Sequence, residues 1–81
     1  MSHSHSASQP LDQLAPGVVG IIASIDGDDD VTIRLLEMGL LEGEPIEFVG
    51  AAPLGDPLEF RVQGYHLSLR RTEARRIQVV V

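Results

Sequence analysis

Few residues in this chain could do covalent chemistry. Beyond the first ten residues there is one histidine, His66, and the chain has no cysteine and no lysine. A side-chain nucleophile needs a base within hydrogen-bond reach, oriented by a third group. Ser68 lies two residues from His66, which on an extended strand puts both on one face of a small exposed sheet. That arrangement makes no pocket. A glycine-rich phosphate loop ending in Gly-Lys-Ser/Thr is also missing. The residue types therefore point to a binding module, not an enzyme.

Metal chemistry is the next candidate. Glu59 and His66 are expected to be diagonal neighbours on paired strands, and imidazole with carboxylate suits a divalent ion. Two ligands are too few for a tight site. His3 and His5 in MSHSHSASQP can hold added zinc, copper or nickel loosely, as His-rich tracts do. Metal at any of these four residues is expected to be adventitious or intermolecular. Asp28-Asp29-Asp30 lacks the alternating ligands and distant Glu of an EF-hand loop. It is better placed to begin a helix. No cofactor is required, and a divalent metal would be held weakly.

The elements that position these residues follow from periodicity. Leu58, Phe60 and Val62 alternate with Glu59 and Arg61. After Gln63-Gly64, Tyr65, Leu67 and Leu69 alternate with His66, Ser68 and Arg70. Such alternation marks half-buried strands, and a two-residue loop ending in Gly suits a tight hairpin. The register then sets Val62 opposite Tyr65, Phe60 opposite Leu67 and Leu58 opposite Leu69, with all six facing inward. Arg61 opposes His66 and Glu59 opposes Ser68 on the outer face. A slip of one residue would mix the faces.

Other segments complete the pattern. Pro10 to Ala15 suggests a short helical turn. Residues 17–25 read as a strand with Val18, Val19, Ile22 and Ile25 inward, and Gly20 as a bulge or close backbone approach. Val31 to Met38 reads as a helix with Val31, Leu35 and Met38 as its apolar stripe. The aspartates before it suit a cap, and Gly39-Leu40 suits its C-terminal turn. Residues 44–50 form another strand with Ile46 and Phe48 inward. Arg71 to Arg76 reads as one helical turn, and residues 77–81 as a final strand. The expected fold is mainly β: a small, partly open β-barrel of about five strands with two or three short helices.

An 81-residue chain has room for one domain. Residues 1–10 read as a disordered Ser/His-rich tail and residues 11–81 as the domain. The net charge of −6 argues against general nucleic-acid binding. No apolar run approaches the ~20 residues of a membrane span, so direct membrane insertion is not expected. Charge is unevenly spread: residues 1–60 hold eleven acids and one Arg, whereas residues 61–81 hold five Arg and one Glu.

In order along the chain, Arg34-Leu-Leu-Glu-Met-Gly-Leu40, Gly43, Ile46, Pro53-Leu-Gly-Asp-Pro-Leu58, Leu67-Ser-Leu-Arg70, Glu73-Ala74 and Ile77 resemble the FeoA family. The resemblance spans roughly residues 11–81. It implies an SH3-like barrel, in agreement with the strand count. It also implies a cytoplasmic accessory protein of bacterial ferrous iron uptake, held at the inner membrane through its partner, the transporter FeoB. FeoB carries a cytoplasmic GTP-binding region, and any GTP chemistry would be its own. Similar domains end metal-dependent repressors related to the diphtheria toxin repressor. The alternative implied is therefore a metal-responsive regulatory or metal-linked dimerisation module. No helix-turn-helix segment precedes the barrel, which favours the accessory role.

Three groups of residues are candidates for partner contact. The prolines of Ala51-Ala-Pro-Leu-Gly-Asp-Pro57 stiffen a loop, and a rigid loop presenting Pro53, Leu54, Asp56 and Pro57 docks at low entropic cost. Leu40 and Leu41 form an apolar pair after the helix. Arg70, Arg71, Arg75 and Arg76 form a cationic cluster able to steer an acidic partner. The residues leave self-association open.

Overall fold

The computed structural model describes residues 7–81. Six strands form one antiparallel sheet: β1 (Gln9–Pro10), β2 (Val19–Ile25), β3 (Pro45–Ala51), β4 (Leu58–Val62), β5 (Tyr65–Leu69) and β6 (Ile77–Val80). Their spatial order is β1-β6-β2-β3-β4-β5. Helix α1 (Asp30–Glu37) joins β2 to β3, and a single turn, α2 (Arg71–Ala74), joins β5 to β6. A 3-10 turn at Leu11–Gln13 follows β1. The sheet curls so that the two open edges, β1 and β5, lie next to these two turns. Arg75 on the α2 side reaches Asp12 on the 3-10 turn at 3.5 Å.

Strand β1 occupies the last two residues of the expected tail, so the folded unit begins earlier than residue 11 and has six strands among the described residues. Gln9 pairs with Val79 and Pro10 with Gln78. Pro10 fits there because an edge strand leaves one side unpaired and tolerates a missing N–H. His3 and His5 lie outside the described residues.

The β4–β5 hairpin adopts the expected register at all five pairs, from Leu58 with Leu69 to Val62 with Tyr65. Gln63 and Gly64 both take positive φ, 53° and 83°, as a type I′ turn requires. One side chain departs from expectation. Tyr65 is 43% exposed, because the strand end where it sits reaches the barrel rim. Its hydroxyl donates to the Met38 carbonyl at 2.8 Å.

Strand β2 also departs in part. Ile22 is buried and Val18 and Ile25 are half-buried, but Val19 faces out. The sheet bulges between Ile22 and Ser24, not at Gly20, which pairs regularly with Ile46. Gly20 serves close approach instead: a Cβ there would lie 3.0 Å from the Val79 Cβ. A second irregularity falls between Phe48 and Gly50. The two bulges bend long strands around a core of Leu11, Ile22, Leu35, Leu40, Ile46, Phe48, Leu58, Phe60, Val62, Leu69, Ile77 and Val79. Phe48 and Phe60 pack with ring centroids 5.3 Å apart, a favourable tilted pair.

Helix α1 is capped at both ends. The Asp29 carboxylate accepts from the Thr32 amide at 3.3 Å. Gly39, at φ +91°, turns the chain so that its N–H reaches Leu36 and the Leu40 N–H reaches Leu35. This double bond pattern is a Schellman turn, whose apolar follower packs on the helix. Leu40 is that follower and is fully buried.

Candidate docking surfaces

The proline-bracketed loop is tied down by its own turn and by α2. Gly55 N–H bonds the Ala52 carbonyl at 2.7 Å, and Ala52 N–H bonds the Pro57 carbonyl at 3.0 Å. The Asp56 carboxylate accepts from the Arg71 amide at 2.8 Å. The Arg71 guanidinium donates to the Gly55 carbonyl at 3.0 Å. Asp56 and Arg71 thus fix the loop, and Leu54 is left at its tip, 97% exposed. Pro53 is exposed beside it. A shallow groove of about 320 Å³ runs under the loop, lined by Asp56, Pro57, Ser68, Arg70 and Glu73.

The arginines do not form one patch. Arg75 turns to Asp12 and Arg76 pairs with Asp29 at 2.6 Å. Arg34 pairs with Glu73, and Arg61 with Glu47 at 2.8 Å. Of the expected cluster, Arg70 and Arg71 make no ion pair among the described residues, and Arg71 is spent on the loop. The cluster disperses because α2 is a single turn, and successive residues on a turn point in different directions. The Arg76 guanidinium, with the Thr32 amide, holds the Asp29 carboxyl down at about 2.

Leu40 belongs to the core and offers no contact surface, which corrects its expected role; its neighbour Leu41 is exposed. The outer face of the hairpin does not assemble a metal centre. Glu59 accepts from the Ser68 hydroxyl at 2.8 Å. The Arg61 guanidinium approaches His66 Nε2 at 3.2–3.3 Å, so that imidazole nitrogen faces a cation. Among the described residues no three His, Cys, Asp or Glu side chains gather closely enough to hold an ion.

Sequence reasoning missed a second surface. Ile33 and Leu36 on α1 are exposed, at i and i+3 on one flank. Leu36 walls a groove of about 250 Å³ between α1 and β2, lined also by residues 22–25 of β2, Thr32, Leu40 and Glu42. The available signal was that Ile33 and Leu36 fall outside the Val31/Leu35/Met38 stripe. Two apolar residues off the buried stripe need another explanation.

Residues 9–81 match the model of the FeoA domain. The chain belongs to the FeoA family. A curated relative, the Fe(2+) transport protein A/Fe(2+) transporter FeoB fusion protein of Porphyromonas gingivalis, is 39% identical over 69 residues. That match covers 85% of this chain but 8% of the fusion protein. Among solved structures, an FeoA-like protein from Clostridium acetobutylicum superposes with a TM-score of 0.87 at 32% identity, over 96% of this chain and 90% of that one. FeoA of Stenotrophomonas maltophilia, solved with zinc and described as a procaryotic SH3 domain protein, gives a TM-score of 0.75 at 28% identity. There the coverage is 91% of this chain and 89% of the other. The family assignment links this chain to ferrous iron transport and agrees with the SH3-like barrel. Among the described residues no helix is long and apolar enough to cross a membrane.

Proposed function

We propose that this chain is a non-enzymatic accessory protein of bacterial ferrous iron uptake. It docks on the cytoplasmic GTP-binding region of an FeoB-type transporter and modulates transport by contact, without carrying iron. It would work in the cytoplasm, at the inner membrane through that partner. The observation that carries this reading is covalent: a related FeoA domain is joined to FeoB in one polypeptide. Tethering raises the effective concentration of two modules that must meet. The contact elements on this chain are Leu41, Pro53, Leu54 and Pro57, with Arg70 beside the loop groove.

Co-purification with the transporter's soluble cytoplasmic region tests the docking. Binding is expected in at least one nucleotide state. No association in either state, with folded protein in excess, removes the reading. Replacing Leu54 by Ser is expected to weaken association while leaving stability within about 0.5 kcal/mol, since it touches almost nothing in the fold.

A metal-linked regulatory role is the second reading, favoured by the zinc in the Stenotrophomonas maltophilia structure. Calorimetry with ferrous iron, manganese and zinc separates the two. Micromolar ferrous binding that survives deletion of residues 1–6 would favour the metal-linked role.

A further inference from the structure

The charge left unbalanced on this molecule is acidic, and one of its unpaired carboxylates, Glu42, lines a largely apolar groove. Between Asp26 and Glu44 the chain carries seven carboxylates and a single cation, Arg34. Arg34 is turned to Glu73 on α2. Asp29 is neutralised by Arg76, and Asp26 and Glu44 accept from Gln78 and Gln63. Asp28, Asp30, Glu37 and Glu42 remain exposed, with no ion pair among the described residues. Glu42 itself lines the groove.

The same region exposes Ile33, Leu36 and Leu41 at 51%, 44% and 47%. Leu36 walls the groove itself, and Ile33 and Leu41 adjoin its lining residues Thr32 and Glu42 in the chain; exposed apolar side chains beside a groove mark a contact surface. At about 250 Å³ the groove is below the ~300 Å³ at which small-molecule pockets begin. A space of this size takes side-chain anchors. A partner that fills it must supply apolar anchors and, around them, positive charge.

We infer that the groove between β2 and α1 binds a basic amphipathic segment of a partner protein, with Ile33, Leu36 and Leu41 taking its apolar face and Glu37 and Glu42 its cations. This is the helix-in-groove mode of recognition. The inference rests on the docking reading for its biological setting and names the surface and the partner's chemistry. It adds to the loop a second contact face, whose charge is carried by Glu37 and Glu42, exposed and without an ion pair among the described residues.

The test uses the full chain, labelled for amide NMR, and a synthetic amphipathic peptide. The peptide has Leu at i, i+3, i+4 and i+7 and Lys on its other face; its control carries Glu in place of Lys. The Lys peptide is expected to shift amides of Ile25, Ile33, Leu36, Leu41 and Glu42, and added salt to weaken it. Leu36→Ser and Glu42→Lys should each weaken binding about tenfold, the size of one lost anchor. Ile33→Ser, at a position with half its surface in solvent, repeats the test if Leu36→Ser perturbs the fold. Failure of the Lys peptide to bind, equal binding of the Glu peptide, or shifts centred on Arg70 and the loop would overturn the inference. The transporter's cytoplasmic region separates the two readings. If it binds wild type, Leu36→Ser and Glu42→Lys alike, this surface is wrong and docking stands. If it binds none while the Lys peptide maps to the groove, docking on that region is wrong and the surface stands.

Discussion

The Tyr65 hydroxyl donates to the Met38 carbonyl at 2.8 Å, joining the first residue of β5 to the C-terminal cap of α1. The last carbonyls of a helix have no partner within it. Tyr65 satisfies one of them from a strand 27 residues away. It also crowds Gly39, where a Cβ would lie 3.1 Å from the hydroxyl oxygen. The hairpin, the cap and the wall of the α1–β2 groove are thereby held in one geometry.

Tyr65→Phe is therefore expected to cost about 0.5–1.5 kcal/mol, the net worth of one hydrogen bond. Partial exposure of Tyr65 puts it at the low end, because water can replace the lost donor. Urea unfolding measures the loss. Amide exchange at Gly39 and Leu40 should quicken more than at Ile77 and Val79, which lie on the far strand. Uniform loosening would count against a specific tie.

Asp29 makes stability depend on acid. Its folded value, about 2, is below the ordinary 3.8, chiefly through Arg76 and then the Thr32 amide. A depressed carboxyl value contributes stability that is present above the unfolded value and lost as pH falls through the folded one. The window is thus from about 4 down to about 2. Asp29→Asn keeps a capping oxygen but loses the negative charge that pairs with Arg76. Thermal unfolding between pH 4 and pH 2 is expected to be flatter in Asp29→Asn than in wild type. Parallel curves would show that the pair contributes nothing to acid sensitivity.

Gly20→Ala tests why glycine stands inside β2. The added methyl would meet Val79 at 3.0 Å, with Leu14 at 3.5 Å. Overpacking of this kind costs about 1–3 kcal/mol. Gly50, a strand glycine with nothing within 4 Å of its Cβ position, serves as control. Gly50→Ala should be nearly neutral or slightly stabilising by the same denaturation assay.

The hairpin was legible because two independent constraints, alternation and a two-residue Gly turn, agree on one register. The α1 caps were legible for a similar reason, since Asp and Gly at helix ends act through local geometry. Side-chain fate at the rim was not. Tyr65 alternates like Phe60, and only the barrel's finite length decides that one reaches water. The arginine partners were also hidden, because Asp12 and Arg75 lie 63 residues apart and only closure of the barrel brings them together. The α1–β2 groove needed both the helix flank and the β2 bulge, and no local pattern encodes how two elements face each other.

That Asp12–Arg75 contact carries the last prediction. The Asp12 side chain is 3% exposed, and its Oδ1 has no hydrogen-bond partner among the described residues. Arg75 approaches the other oxygen, Oδ2, at 3.5 Å from a mostly exposed position. Burying a carboxylate without compensation costs more than a surface ion pair returns. Removing the cation should therefore hurt more than removing both charges. Arg75→Ala is expected to destabilise by about 1–3 kcal/mol, the cost of a buried group left unsatisfied. Asp12→Asn in the Arg75→Ala background should recover part of that loss, since a neutral amide is cheaper to bury. Chemical denaturation of the wild type, both single variants and the double variant closes the cycle. Strict additivity would mean that the two turns beside the open edges of the barrel are held by apolar packing alone, with the ion pair as bystander.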